Sequence, residues 1–150
     1  NSLIKKHKIV DKNYLENKDF YLLSASHNGY EKKFGYIHTR SVKILKKEDK
    51  ILGCDKLKKT RNYSNSVSYS VRFHIYPNIK IVKTKGGNSI LISLSNGEGW
   101  LLQSNTNNFE IEKNIFLGNK NKIMNNESVS ISGNTSETVT SIEWTIERVT

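Results

Sequence analysis

The sequence predicts an all-β fold, an antiparallel β-sandwich of about nine or ten short strands. Apolar and polar residues alternate along short runs, as strands with one buried face require. Glycine, asparagine and proline punctuate those runs at short intervals. No window places apolar residues at the three-and-four spacing of a helix for three turns. The 150 residues suit a single domain, 1–150, large enough to bury a core without disulfides or metal.

From the amino end, Phe20 to Ala25 and Ser41 to Leu45 are β-compatible, and Lys46 to Lys50 followed by Ile51-Leu52 reads as a hairpin between two strands. The clearest strand is Val67 to Ile75, where Val67, Tyr69, Val71, Phe73 and Ile75 alternate with Ser68, Ser70, Arg72 and His74. Pro77 ends it, because proline cannot donate to a ladder, and Ile79 to Thr84 resumes an extended pattern. Gly86-Gly87 forms a hairpin-type turn into Ser89 to Ser95, and Asn96-Gly97-Glu98-Gly99 a second turn into Trp100 to Ser104. Asn105 to Asn108 is a polar break before Phe109 to Lys113. Val129 and Ile131 then alternate with serines, and Ile142, Trp144 and Ile146 with Glu143, Thr145 and Glu147. Nearly all of residues 20–150 is therefore expected to be β, with Val67, Val71, Phe73, Ile75, Ile90, Ile92, Trp100, Ile131, Ile142 and Trp144 in the core.

Composition narrows the function classes. Hydrophobic residues are 35% of the chain but fall in spaced runs, which favours folding over disorder. No stretch approaches the roughly 18 consecutive apolar residues of a membrane span, and no charged-then-apolar leader opens the chain, so no membrane partner is expected. The first residue is Asn1 rather than Met, which reads as a piece of a longer polypeptide. The single cysteine, Cys54, excludes an intrachain disulfide and reads as a small buried residue rather than a reactive thiol. The formal charge of +10 invites an anionic partner. Twenty of the 24 basic residues are lysine and four are arginine, whereas phosphate readers recruit arginine for its planar fork, and no nucleic-acid-binding motif is present. Nucleic acid is therefore not expected as a partner. Residues 1–60 carry 15 basic and 7 acidic side chains and residues 61–150 carry 9 and 7, so the excess of +8 against +2 sits in the first part.

His7, His27, His38 and His74 form no HxH or HxxxH pair, and neither a GxSxG turn nor a phosphate-cradling glycine loop is present. Reactive side chains concentrate instead between Ser24 and Arg40, in a segment containing His27, Tyr30, His38 and Arg40. Such residues suit a sugar surface, because rings stack on pyranose faces and a guanidinium forks a carboxylate or sulfate. The alternative is a loop joining two strands, with His27 and Tyr30 bonding a turn and Arg40 paired to an acidic neighbour such as Asp55.

Ser26-His27-Asn28-Gly29-Tyr30, Phe34-Gly35 and Ile37-His38-Thr39-Arg40 resemble the "SHDGY…FG…H.R" passage of bacterial heparinase II/III-like proteins. Leu52-Gly53-Cys54-Asp55-Lys56-Leu57 resembles the family's "GxDxL" step, and Val71-Arg72-Phe73-His74-Ile75-Tyr76-Pro77 its "RFHLHP" strand. Asn96 to Trp100, Phe116-Leu117-Gly118, Val129 to Gly133 and Ile142 to Ile146 follow in the family's order, so the resemblance spans nearly the whole chain. Asn28 replaces the usual aspartate and Tyr76 the second histidine.

The resemblance implies the C-terminal β-sandwich of a polysaccharide lyase. Relatives pair such sheets with an N-terminal α/α toroid and cleave acidic, uronate-containing polysaccharide by β-elimination. The base and acid come from the toroid. An HxHxD-type passage, which holds a structural divalent metal in some members, is missing here and is expected upstream of Asn1. The resemblance thus implies no catalytic residue, no cofactor and no activity in this chain alone, with acidic polysaccharide and the toroid of the same chain as partners, in the bacterial periplasm or outside the cell. His27, Tyr30, His38 and Arg40 are the expected substrate-facing residues, close together on a sheet edge, with Arg72 and His74 as further candidates. Losing Arg40 is expected to weaken substrate engagement by roughly 1.5–3 kcal/mol and to leave fold stability nearly unchanged. The rival reading is a stand-alone carbohydrate-binding or adhesive β-sandwich module, which would bind glycan tightly by itself.

Overall fold

The structure, a computed structural model, describes residues 7–61, 66–119, 122–135 and 138–150. Its elements are β1 (Ile9–Glu16), β2 (Phe20–His27), α1 (Glu31–Phe34), β3 (Tyr36–Leu45), β4 (Lys50–Lys59), β5 (Ser68–His74), β6 (Lys80–Lys83), β7 (Ser89–Ser93), β8 (Gly99–Ser104), β9 (Phe109–Asn119), β10 (Lys122–Asn134) and β11 (Val139–Arg148). The strand pairings are antiparallel, and the sole helix among the described residues is four residues long, so the all-β antiparallel architecture expected from the alternation is the one that forms. No described helix is long and apolar enough to cross a membrane. The chain divides into two compact units, Asn1–Val67 with Thr135–Glu143, and Ser68–Asn134 with Trp144–Thr150.

In the first unit the strands run in the order β1-β2-β3-β4, with the start of β11 beside β4. Asn17 builds the first hairpin: its Oδ1 accepts from the amides of Asp19 and Phe20, both at 2.9 Å. One face of the sheet carries cross-strand hydroxyl pairs, Ser24 with Ser41 at 2.9 Å and Ser26 with Thr39 at 2.8 Å. Lysines lie along aromatic rings, Lys43 over Phe20 at 4.1 Å and Lys46 over Tyr21 at 4.0 Å, which gives part of the lysine excess a local role. The buried Thr135 hydroxyl ties the far end of the unit together: it pairs with the Tyr36 hydroxyl at 3.0 Å and accepts from the Val67 amide at 2.9 Å.

The second unit contains a three-stranded sheet, β5-β10-β9, and the order β11-β8-β7-β6 beginning from the second half of β11. Val71, Phe109, Val129 and Ile131 of the first sheet and Ile81, Ile90, Leu102 and Trp144 of the second are buried. Phe73 meets Trp144 edge to face, with ring centroids 4.9 Å apart. The turn at Gly87 is closed by the Gly87 amide on Thr84 O at 2.8 Å, and the turn at Gly97 by its amide on Leu94 O at 3.1 Å. Both glycines have positive φ, at 71° and 92°, which explains why each turn uses glycine there.

Of the expected core residues, Val71, Ile90, Ile131, Ile142 and Trp144 are buried, and Val67, Phe73, Ile75, Ile92 and Trp100 are half-buried. Ile90 pairs with Leu102, which is fully buried, whereas Ile92 pairs with the half-buried Trp100.

Candidate functional site

Strand alternation in the first unit gathers the candidate side chains on one sheet face. β2 ends at His27, and β3 returns with His38 directly opposite it. Two residues on, Arg40 lies opposite Asp55 of β4. Between β2 and β3 the chain makes one helical turn, α1, which Gly35 closes at φ 76° with its amide on Glu31 O at 2.9 Å. The segment between Ser24 and Arg40 is therefore mostly strand, and only residues 28–35 connect.

Asp55 anchors the site. It is 1% exposed, its Oδ1 accepts from His38 Nε2 at 2.7 Å and Arg40 Nε at 2.8 Å, and its Oδ2 accepts from Arg40 Nη2 at 3.1 Å. His38 Nδ1 stands 3.1 Å from His27 Nε2, and the Gly29 amide donates to His27 Nδ1 at 3.1 Å. One set of tautomers satisfies every contact. Since the Gly29 amide donates, His27 Nδ1 accepts and its Nε2–H donates to His38 Nδ1. His38 then donates from Nε2 to Asp55. A continuous chain of hydrogen bonds thus runs from the Gly29 turn to the buried carboxylate. Burial, followed by the neighbouring His38 and His7, lowers the pKa of His27 below its usual value.

Tyr30 packs its ring 5.1 Å from His27 and 6.2 Å from His38 and is 45% exposed. A Cβ at Gly29 would come within 2.9 Å of His27 Nδ1 and 3.2 Å of the His7 ring, so a larger residue there would push these rings aside. Asn28 Oδ1 accepts from the Lys8 amide at 3.0 Å, a contact that an aspartate oxygen would make equally well, so the departure at this position keeps the bond.

His27, Tyr30, His38 and Arg40 are therefore brought together, around a carboxylate that the sequence named only as a partner for Arg40. Register could have raised Asp55 to the site: counted back from the Lys46–Asp49 turn, it falls opposite Arg40. The structure also changes one expectation. Because Asp55 is buried, removing Arg40 strips a buried carboxylate of its bidentate partner, so Arg40→Ala acts on stability as well as on any ligand.

Arg72 and His74 belong to the second unit and are engaged there, Arg72 Nη2 with Glu112 at 2.9 Å and His74 Nδ1 with Asn114 at 3.3 Å. Cys54 is half-buried and burial pushes its thiol pKa up, the opposite of what an attacking thiol needs. Among the described residues no group of three or more His, Cys, Asp or Glu side chains is placed to hold a metal ion.

Among solved structures, the chain is similar to heparan sulfate lyase HepC from Pedobacter heparinus, with TM-score 0.76 and 14% identity over 97% of this chain and 22% of that one. It is similar to the heparinase III BT4657 gene product, with TM-score 0.73 and 14% identity over 96% and 22%, and to a heparinase III, with TM-score 0.68 and 16% identity over 95% and 21%. The chain thus spans about a fifth of the length of these proteins. At such identities the likeness is one of fold. No curated protein matches the sequence. The family model for the C-terminal region of heparinase II/III-like proteins matches residues 2–145, and the chain belongs to that family.

Proposed function

We propose that this chain is the C-terminal β region of a lyase that cleaves an acidic, uronate-containing polysaccharide by β-elimination, and that the face carrying His27, Tyr30, His38 and Arg40 contributes to the substrate cleft. The observation that carries the reading is the convergence of His27, His38 and Arg40 on one sheet face beside a single buried carboxylate, with the Tyr30 ring packed against the two histidines.

In the elimination, a base takes the proton α to the uronate carboxylate, the C–H electrons form the carbon–carbon double bond, and the bond to the leaving oxygen breaks as that oxygen is protonated. Neutralising the uronate carboxylate makes the proton acidic enough to remove. Base and acid belong to an N-terminal toroid of the parent protein. The residues here bind and orient. Tyr30 offers a ring to a pyranose face, and Arg40, held by Asp55, presents a pre-set guanidinium to a carboxylate or sulfate. The protein works in the bacterial periplasm or outside the cell, and this chain by itself performs no elimination.

Tyr30→Ala in the full-length enzyme separates binding from folding better than Arg40→Ala, because Tyr30 is 45% exposed and its side chain has no buried ionic partner, whereas Arg40 is bonded to the buried Asp55. With heparan sulfate as the first substrate, kcat/KM should fall by about tenfold while Tm stays unchanged. Unchanged kcat/KM, or a Tm that falls in step with activity, would remove the face from the cleft.

A further inference from the structure

The hydrogen-bond chain through His27 and His38 runs in one direction and is full. With both rings neutral, each contact joins one donor to one acceptor: the Gly29 amide to His27 Nδ1 at 3.1 Å, His27 Nε2 to His38 Nδ1 at 3.1 Å, and His38 Nε2 to Asp55 Oδ1 at 2.7 Å. The far end is fixed, because the buried Asp55 carboxylate also holds the Arg40 fork. A further proton therefore breaks a contact wherever it lands. On His27 it occupies Nδ1, which then faces the Gly29 N–H, donor against donor. On His38 it occupies Nδ1 and faces the His27 Nε2–H. His27 relieves this by moving its own proton to Nδ1, and the conflict again arrives at Gly29.

The titratable and charged groups around His27 come from each neighbouring element: His38 and Arg40 on β3, Asp55 on β4, His7 ahead of β1 and Tyr30 in the connector. Its register partner on β1 is the uncharged Ile9.

The amide that must yield belongs to the Asn28–Gly29 peptide. The other end of that peptide is the Asn28 carbonyl, which accepts from the Glu31 amide at 3.0 Å and closes the start of α1. A peptide unit is planar, so turning its N–H away from His27 swings this carbonyl away from Glu31. Gly29 tolerates the turn, having no Cβ to restrict its φ. Asn28 is held from the other side, its amide donating to Lys8 O at 3.2 Å and its Oδ1 accepting from the Lys8 amide at 3.0 Å. The motion is thereby directed into the residues that follow, and the first of these with a side chain is Tyr30, whose ring packs on both histidines.

We propose that the Asn28–Gly29 peptide is a proton-operated joint: one proton added to the His27–His38 pair turns it out of the hydrogen-bond chain and loosens the turn that carries Tyr30. The joint does not depend on the cleft reading; its consequence, a weaker grip on polysaccharide as pH falls, rests on that reading. Hydrogen exchange and imidazole NMR of the 150-residue chain between about pH 8 and pH 5 test the joint. After correction for the intrinsic pH dependence of exchange, protection of the Gly29 and Glu31 amides should fall by about tenfold or more through the midpoint of the histidine pair. The Asn28 amide, bonded to Lys8, and the Leu102 amide of the second unit should keep theirs. Unchanged protection at Gly29 and Glu31 while the rings titrate, or protection lost at Leu102 as well, would overturn the joint. In the full-length parent, KM for heparan sulfate should rise by about fivefold or more through the same midpoint, and Tyr30→Ala should remove that rise. Protection lost at Gly29 and Glu31 beside a flat KM would leave the joint standing and overturn its effect on the cleft.

Discussion

Asp55 is the residue on which the candidate site depends. Removing one partner of a buried ion pair costs about 3–5 kcal/mol, and Arg40 is 40% exposed and can regain water, so Asp55→Ala is expected to cost about 2–3 kcal/mol. Chemical denaturation checks this, and a loss within error of zero would mean the carboxylate is not an anchor. His27 makes a separate prediction. Its pKa is lowered in the fold, so the unfolded chain, with its histidine near about 6.5, takes up the proton first. The contribution of His27 to stability is therefore complete above about pH 6.5 and is lost as pH falls through the lowered folded value. An imidazole titration by NMR should place its midpoint below about 6.5, and His27→Gln should flatten the acid limb of Tm against pH. A midpoint at or above that value contradicts the tautomer chain. The cluster was legible as a concentration of residue types between His27 and Arg40. Its internal wiring was not, because hydrogen bonds across three strands depend on register rather than on sequence neighbours.

Strands with an alternating apolar face, such as β5 and β11, were legible, since burial writes the two-residue period into the sequence; the first half of β3 and the second half of β4, where polar residues such as Asp55 are buried, were not. β1 was not. Every residue of it is exposed, so nothing selected alternation there, and its pairing with β2 comes from the Asn17 turn and an irregular register between Ile9 and Asp11. Asp11, Lys12 and Asn13 suit an edge that discourages further pairing. β9 and β10 also run beyond their apolar centres, because backbone pairing continues where side chains no longer report it. At the opposite end of the first unit, one hydroxyl joins elements distant in sequence. Thr135→Val keeps the shape but leaves the Tyr36 hydroxyl and the Val67 amide unpaired. It should destabilise the chain by about 1–3 kcal/mol, and Tyr36→Phe in that background should recover part of the loss. Additive losses in the double variant would show that the two groups do not share the Thr135 hydroxyl.

For the molecule as a whole, family membership and fold agree, and the chain spans about a fifth of the length of the lyases whose fold it shares. The positive charge concentrated in residues 1–60 belongs to the part that also holds the His27–Arg40 face, as an acidic substrate would favour. Elimination still needs a positioned base and a proton donor to the leaving oxygen, and the proposal assigns both to the remainder of the parent protein. The decisive measurement is the ultraviolet absorbance of unsaturated uronate product when the 150-residue chain and its full-length parent are each incubated with heparan sulfate and other uronate polysaccharides. The account predicts product from the parent and none from the chain alone; turnover by the chain alone would contradict it.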